Sequence, residues 1–265
     1  MKRFATCLAA LVCAAAGVVR WLDLAAYTDP ATGFVTYGPV WARYAVGGGV
    51  LAVLALASLL ACRRPMALAR PSRALGAYSL AVGTGFTAYA GAQFSRLFSG
   101  LEGLALAQAV LYLLTGLWFF LLATSQLSGG LKSPTRSAAA GLIGTLSLYL
   151  LTVVRFGFQP SGIVRIGPTV EVFSALAALL FCAALVKLVY LRGAKSARWL
   201  HFAGLAAFFL CTCLELPQTV FSWQAGEAGL PDLCESGLLA LLGLLGAGCS
   251  IALSGGAPQE EPEGE

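Results

Sequence analysis

Apolar runs long enough to cross a lipid bilayer recur along this 265-residue chain, joined by short polar connections. A helix needs roughly 20 such residues to span the hydrocarbon core. Inside lipid the backbone must satisfy its own hydrogen bonds, so a run of this length is read as a helix. Charged residues make up 11% of the chain and apolar ones 58%, where ordinary soluble domains carry about 25% charged. The expectation is an all-α fold, a polytopic transmembrane helical bundle of about eight spans over residues 1–253. A disordered acidic cytoplasmic tail, 254–265, follows; its Gly, Pro and Glu are too polar to fold alone.

The expected spans run from Phe4 to Leu22 or Tyr27, Val40 to Leu60, Leu75 to Phe94, Leu104 to Ala123, Ala138 to Val154, onward from Val170, Trp199 to Ser222, and Gly237 to Leu253. The first reads as uncleaved; the alternative is a signal peptide cut near Ala14-Ala15-Ala16, leaving seven. Ala77, Ala81 and Gly85 offer the third span a small-residue packing face, and Gly47-Gly48-Gly49 gives the second a place for close approach or bending. Asp29-Pro30 and Gly33 predict a short ordered turn after the first span, with Asp29 as its cap. Trp21, Tyr27, Phe34, Tyr37, Trp41 and Tyr44 make that edge aromatic, as at a membrane–water interface.

Lys and Arg set the orientation. With Met1 inside and eight spans, twelve of the 17 basic residues fall on the inner side. Only Arg20, Arg43, Arg96, Arg155 and Arg165 remain outside, so both termini are expected in the cytoplasm. The carboxylates outside the tail, Asp23, Asp29, Glu102, Glu171, Glu215, Glu227, Asp232 and Glu235, all fall at outer helix ends or outer loops. Arg20 and Asp23, at i and i+3, are placed to pair. Glu171 is expected in the first turn of the sixth span, and the loop from Trp223 to Ser236 is expected to hold Glu227, Asp232, Cys234 and Glu235.

The most informative stretch is Trp199 to Ser222, which carries Glu215 well inside its apolar length. An ionisable group there is expensive and usually faces a partner or a cavity. Cys211, Glu215, Gln218 and Ser222 recur at i, i+4, i+7 and i+11 and so share one helix face. Pro217 lacks an N–H, which predicts a kink. Two readings follow. In one, the outer charges form a collar of ion pairs bracing the bundle. In the other, Glu215 and Gln218 with Arg20, Arg96 or Arg155 line an outward-facing polar pocket for a small solute.

Arg20-Trp21-Leu22, Asp29-Pro30-Ala31-Thr32-Gly33-Phe34 and the later Glu215-Leu216-Pro217-Gln218 resemble segments of a group of uncharacterised multi-pass membrane proteins from clostridia-like bacteria. The resemblance covers about a tenth of the chain. It implies a bacterial plasma-membrane protein and assigns no activity and no site residue. Val153-Val154-Arg155 with Gly167-Pro168 also echoes Val18-Val19-Arg20 with Gly38-Pro39, the pattern of a four-plus-four parallel duplication.

The eight cysteines lie mostly in apolar runs and form no disulfide framework. His201, the sole histidine, sits among basic residues at a helix end. No metal-ligand or nucleophile–base pattern stands out, so no cofactor, metal or catalytic residue is assigned. Expected partners are the lipid bilayer and either another membrane protein or a small polar solute; nucleic acid is excluded, because the basic residues sit in separate short loops. The expected roles are a non-enzymatic scaffold, sensor or assembly partner, with a small-solute binder or transporter as the alternative.

Overall fold

The computed structural model describes residues 2–29, 32–61, 73–97, 103–128, 138–158, 165–190 and 194–255. Among these the fold is all-α. The helices are α1 (Lys2–Tyr27), α2 (Val40–Ala61), α3 (Arg73–Leu97), α4 (Gly103–Leu127), α5 (Ala138–Phe158) and α6 (Ile166–Tyr190). Then α7 (Ala194–Ala207) runs without a break through a π-helical segment, Phe208–Glu215, into α8 (Leu216–Gln224), and α9 (Leu230–Ser254) follows. At 1.5 Å per residue, the 25 residues of α9 reach roughly 37 Å, more than a hydrocarbon core requires.

Among the described residues seven helical segments are long and apolar enough to cross a membrane, the continuous Ser196–Gln224 counting as one. Against the eight spans expected, seven meet that measure, and α3 is the one that falls short. The third, α3, is long enough, but its Gly, Ser, Thr and Tyr residues keep it out of the apolar set. It nevertheless lies antiparallel along α4: Ser79 donates to Gln126 toward one end, and the Tyr89 ring packs tilted against Tyr112 toward the other. The expected small-residue face holds only at Gly85, where a Cβ would lie 2.5 Å from the Leu238 side chain of α9. Ala77 and Ala81 are exposed. The close approach is Gly83 to Gly116, where a Cβ on either would lie 3.0–3.1 Å from the other's carbonyl oxygen. Glycine admits a backbone closer than alanine does.

The centre of the bundle is α9, which touches α1, α3, α6, α7, the π-helical segment and α8. It meets α7 backbone to backbone at Gly204 and Gly246 (a Cβ on Gly204 would sit 2.5 Å from the Gly246 carbonyl oxygen). By contrast α2 is mostly exposed, with Val46, Val53, Leu56 and Leu60 outward and only Leu54 and Ser58 fully buried.

Arg3 donates to the Gly255 carbonyl at 3.2 Å, so the chain enters and leaves at one end of the bundle. Just inside that end, His201 is buried between two hydroxyls, Ser58 on Nδ1 at 2.9 Å and Thr6 on Nε2 at 3.1 Å. Ser58 gives its own proton to the Leu54 carbonyl, so it accepts from Nδ1–H of His201. One imidazole thus ties α1, α2 and α7 together. Its place among basic residues did not foretell this.

At the opposite end the turn after α1 forms as expected in outline. Gly33 is left-handed at φ 68°, Thr32 donates to the Asp29 carboxylate at 2.5 Å, and Thr28 and Val35 bridge. Several boundaries differ, three of them at residues singled out in the sequence. Helix α6 starts at Ile166, so Glu171 lies beyond its first turn. Helix α9 starts at Leu230, so Asp232, Cys234 and Glu235 are helical and not in a loop. Ser254, expected in the tail, ends α9, and 256–265 lie outside the described residues.

Candidate functional site

Pro217 shapes the site. The segment before it widens into a π-helix, where the Leu216 N–H bonds the Cys211 carbonyl five residues back. The distortion that a missing N–H imposes therefore includes wide turns upstream. The expected shared face is split. Glu215 turns toward α5, α6 and α9, while Gln218 turns toward α1. Gly17 of α1 rests on this segment, where a Cβ would lie 2.9 Å from the Cys213 carbonyl oxygen.

Arg155, near the end of α5, is the hub of the first cluster. Its Nη2 donates at 2.8 Å both to Glu215 and to Glu235, and Nη1 donates at 2.7 Å to the Glu171 carbonyl. Glu215 is fully buried, Arg155 is 8% exposed and Glu235 17%. Around Glu215, Ser236 donates to Oε1 at 2.9 Å and Ser174 is in close contact with Oε2. Glu235 accepts from Tyr112 at 3.3 Å, with Gln108 in turn donating to that phenol. The cluster draws on α4, α5, α6, the π-helical segment and α9.

The second cluster joins α1, α2 and α8. Asp23 accepts from Arg20 at 2.7 Å and bidentately from Arg43, at 2.6 Å from Nη2 and 2.9 Å from Nε. Arg20 then donates through Nη2 to the Gln218 side-chain oxygen at 2.9 Å. A Cβ on Gly167 would overlap the Gln218 amide, so that glycine leaves room for the contact. The Nε of Arg20 is buried and has no hydrogen-bond partner.

In these two clusters three arginines face three carboxylates. The balance is uneven between the two clusters. Arg20 and Arg43 share one carboxylate, and Arg155 serves two. Three charges of each sign this close to lipid are costly to strand, so each cluster couples the helices that supply it.

Two cavities flank Arg20. The larger, about 590 Å³, lies between α1, α2, α6 and the π-helical segment. Its polar end is Arg20, Asp23 and Arg43, and Leu51, Phe209 and Leu214 are among its apolar lining. The smaller, about 180 Å³, is polar and adds Asp29, Arg165, Glu171, Gln218 and Glu227 to Arg20. Glu215 lines neither.

Of the five candidate residues, Arg155 and Glu215 are brought together, and Arg20 and Gln218 are brought together, in adjoining clusters. The side chain of Arg96 lies outside the described residues. Sequence reasoning missed Glu235 as the second carboxylate on Arg155, and Ser174 and Ser236 as partners of Glu215. The signal for Glu235 was present in Gly229-Leu230-Pro231-Asp232. A proline in the first turn and an Asp accepting the Gly229 N–H at 2.8 Å start the helix early enough to carry Glu235 inward. Ser174 and Ser236 had no such signal, because isolated serines in apolar helices carry no spacing. Among the described residues no three His, Cys, Asp or Glu side chains group as metal ligands.

Compared with protein-family models, curated proteins and solved structures, the chain has no match.

Proposed function

We propose that this multi-pass membrane protein is a non-enzymatic scaffold, sensor or assembly partner, and that its layer of buried charge is the brace that holds the bundle rigid at one end. The reading carries with it a bacterial plasma membrane, a tie to the clostridia-like group, and both termini in the cytoplasm. One observation carries the brace. Glu215 is fully buried, and Arg155, Ser174 and Ser236 occupy both of its oxygens. A carboxylate engaged in this way stiffens the contacts between α5, α6 and α9 and leaves at most one of its roughly four acceptor positions to a solute.

The test is thermal unfolding of Glu215→Gln beside the unaltered protein in a non-ionic detergent. A brace predicts a large loss, since removing one partner of a buried pair typically costs about 3–5 kcal/mol. Unchanged or raised stability would discard the brace and leave Glu215 as a group kept for another purpose.

A second reading, a small-solute binder, is favoured by a different observation. Arg20 lies between two cavities and keeps a buried Nε without a partner. In that reading the site is centred on Arg20 and Gln218, with Glu215 acting only through the helix that carries Gln218.

A further inference from the structure

We infer that the larger cleft seats an anionic membrane lipid, with its phosphate at Arg20 and Arg43 and one acyl chain against the apolar wall. The inference rests on the binding reading and is independent of the brace.

Four observations point the same way. The cavity, about 590 Å³, falls within the range of ligand sites, roughly 300–1,000 Å³. Its ionisable lining, apart from tyrosines, is two guanidiniums and one carboxylate, an excess of one positive charge. Arg20 is only 10% exposed and its Nε is an orphan donor, a costly state that an acceptor would relieve. Finally, the cleft opens sideways: Val19, Val46 and Phe173, all on its lining, are 61%, 60% and 51% exposed.

The polarity is graded along the helix axis. Arg43 sits one turn into α2, beside the polar turn, and Leu51 lies two turns deeper, roughly 12 Å at 1.5 Å per residue. An amphiphile entering from the side thus finds cations at headgroup level and apolar walls below. Gly47 and Gly48 deepen the hollow, since no atom lies within 4 Å of where their Cβ would be. A free phosphate would leave the apolar wall unused. A zwitterionic lipid would set its own cation beside two arginines. The acids of the smaller cavity, Asp29, Glu171 and Glu227, lie on the other side of Arg20 and make that side the poorer anion site.

The test uses the full chain, delipidated in a non-ionic detergent, with thermal unfolding followed on addition of phosphatidylglycerol, phosphatidylcholine or glycerol phosphate. The expected result is a rise in Tm with phosphatidylglycerol alone. Arg43→Gln should need about tenfold more of that lipid for the same shift, the equivalent of one lost charge-assisted contact. Gly48→Leu fills the hollow without touching an ion pair, so it should fold and lose the lipid response; it decides the matter should Arg43→Gln fail to fold. Equal shifts with phosphatidylglycerol and phosphatidylcholine would overturn the inference, as would an undiminished response in Gly48→Leu. A response to glycerol phosphate matching that to the lipid would also overturn it, while sparing the small-solute reading. No response to any of the three would remove the lipid and weaken that reading too.

Discussion

Arg155 and Glu215 meet at 2.8 Å where neither side chain is more than 8% exposed, and the same guanidinium nitrogen also serves Glu235. A cation in this position holds two carboxylates from different passes, so its removal strands both. Arg155→Met should therefore lose about 3–5 kcal/mol of stability. Replacing the whole set, Arg155→Met with Glu215→Gln and Glu235→Gln, should recover most of that loss, because no buried charge is then left unpaired. Denaturant titration of the two variants checks the prediction; equal losses in both would mean that the arginine's packing matters more than its charge.

The glycines divide into two groups with opposite expected responses. At Gly204 a Cβ would collide with the Gly246 backbone, so Gly204→Ala should push α7 from α9 and destabilise by about 1–3 kcal/mol, in the range of overpacked cores. At Gly49 nothing lies within 4 Å, and Gly49→Ala should instead gain about 0.5–1 kcal/mol from the lower backbone entropy of alanine. Paired melting curves read both signs in one experiment.

The gross architecture was legible because bilayer thickness fixes run length, and a run of apolar residues needs no knowledge of its neighbours. The charged layer was legible in part for the same reason: Glu215 stands out in Trp199–Ser222 because its cost there is high. Arg20 with Asp23 was readable from i, i+3 spacing. Arg43 completing that pair, and Glu235 completing the Arg155 cluster, were not, since each contact joins helices far apart in sequence. The failure at α3 has its own cause. Hydropathy and small-residue spacing were both read along one helix, whereas the packing face is set by where α4 supplies Gly116. The split between Glu215 and Gln218 was missed because a straight 3.6-residue period was assumed across a stretch that Pro217 widens.

His201 joins three helices through one ring, so its loss should be felt at the opposite end of the bundle from the charged layer. His201→Leu removes the ring that meets the Thr6 and Ser58 hydroxyls. The expected loss is about 1–3 kcal/mol, the usual cost of leaving buried polar groups unsatisfied. Being far from Arg43, the variant should keep an unaltered response to phosphatidylglycerol, which separates a general loss of stability from a loss of the site. A changed lipid response would show that the two ends are coupled.

Orientation is the prediction with the most direct readout. Arg3 and Gly255 share one end of the bundle, and the turn from Thr28 to Pro39 lies at the other. If both termini are cytoplasmic, Tyr37, which is 72% exposed in that turn, faces outward. Tyr37→Cys should then react with a membrane-impermeant maleimide on intact cells. A cysteine at Lys2 should react only after the membrane is opened. The chain has eight cysteines of its own, so the modified peptide is identified by mass spectrometry. The reverse pattern would invert the protein in the bilayer. It would place the cleft's arginine end at the cytoplasmic leaflet, where anionic lipids give the surface a negative potential, and would therefore change which leaflet supplies the bound lipid.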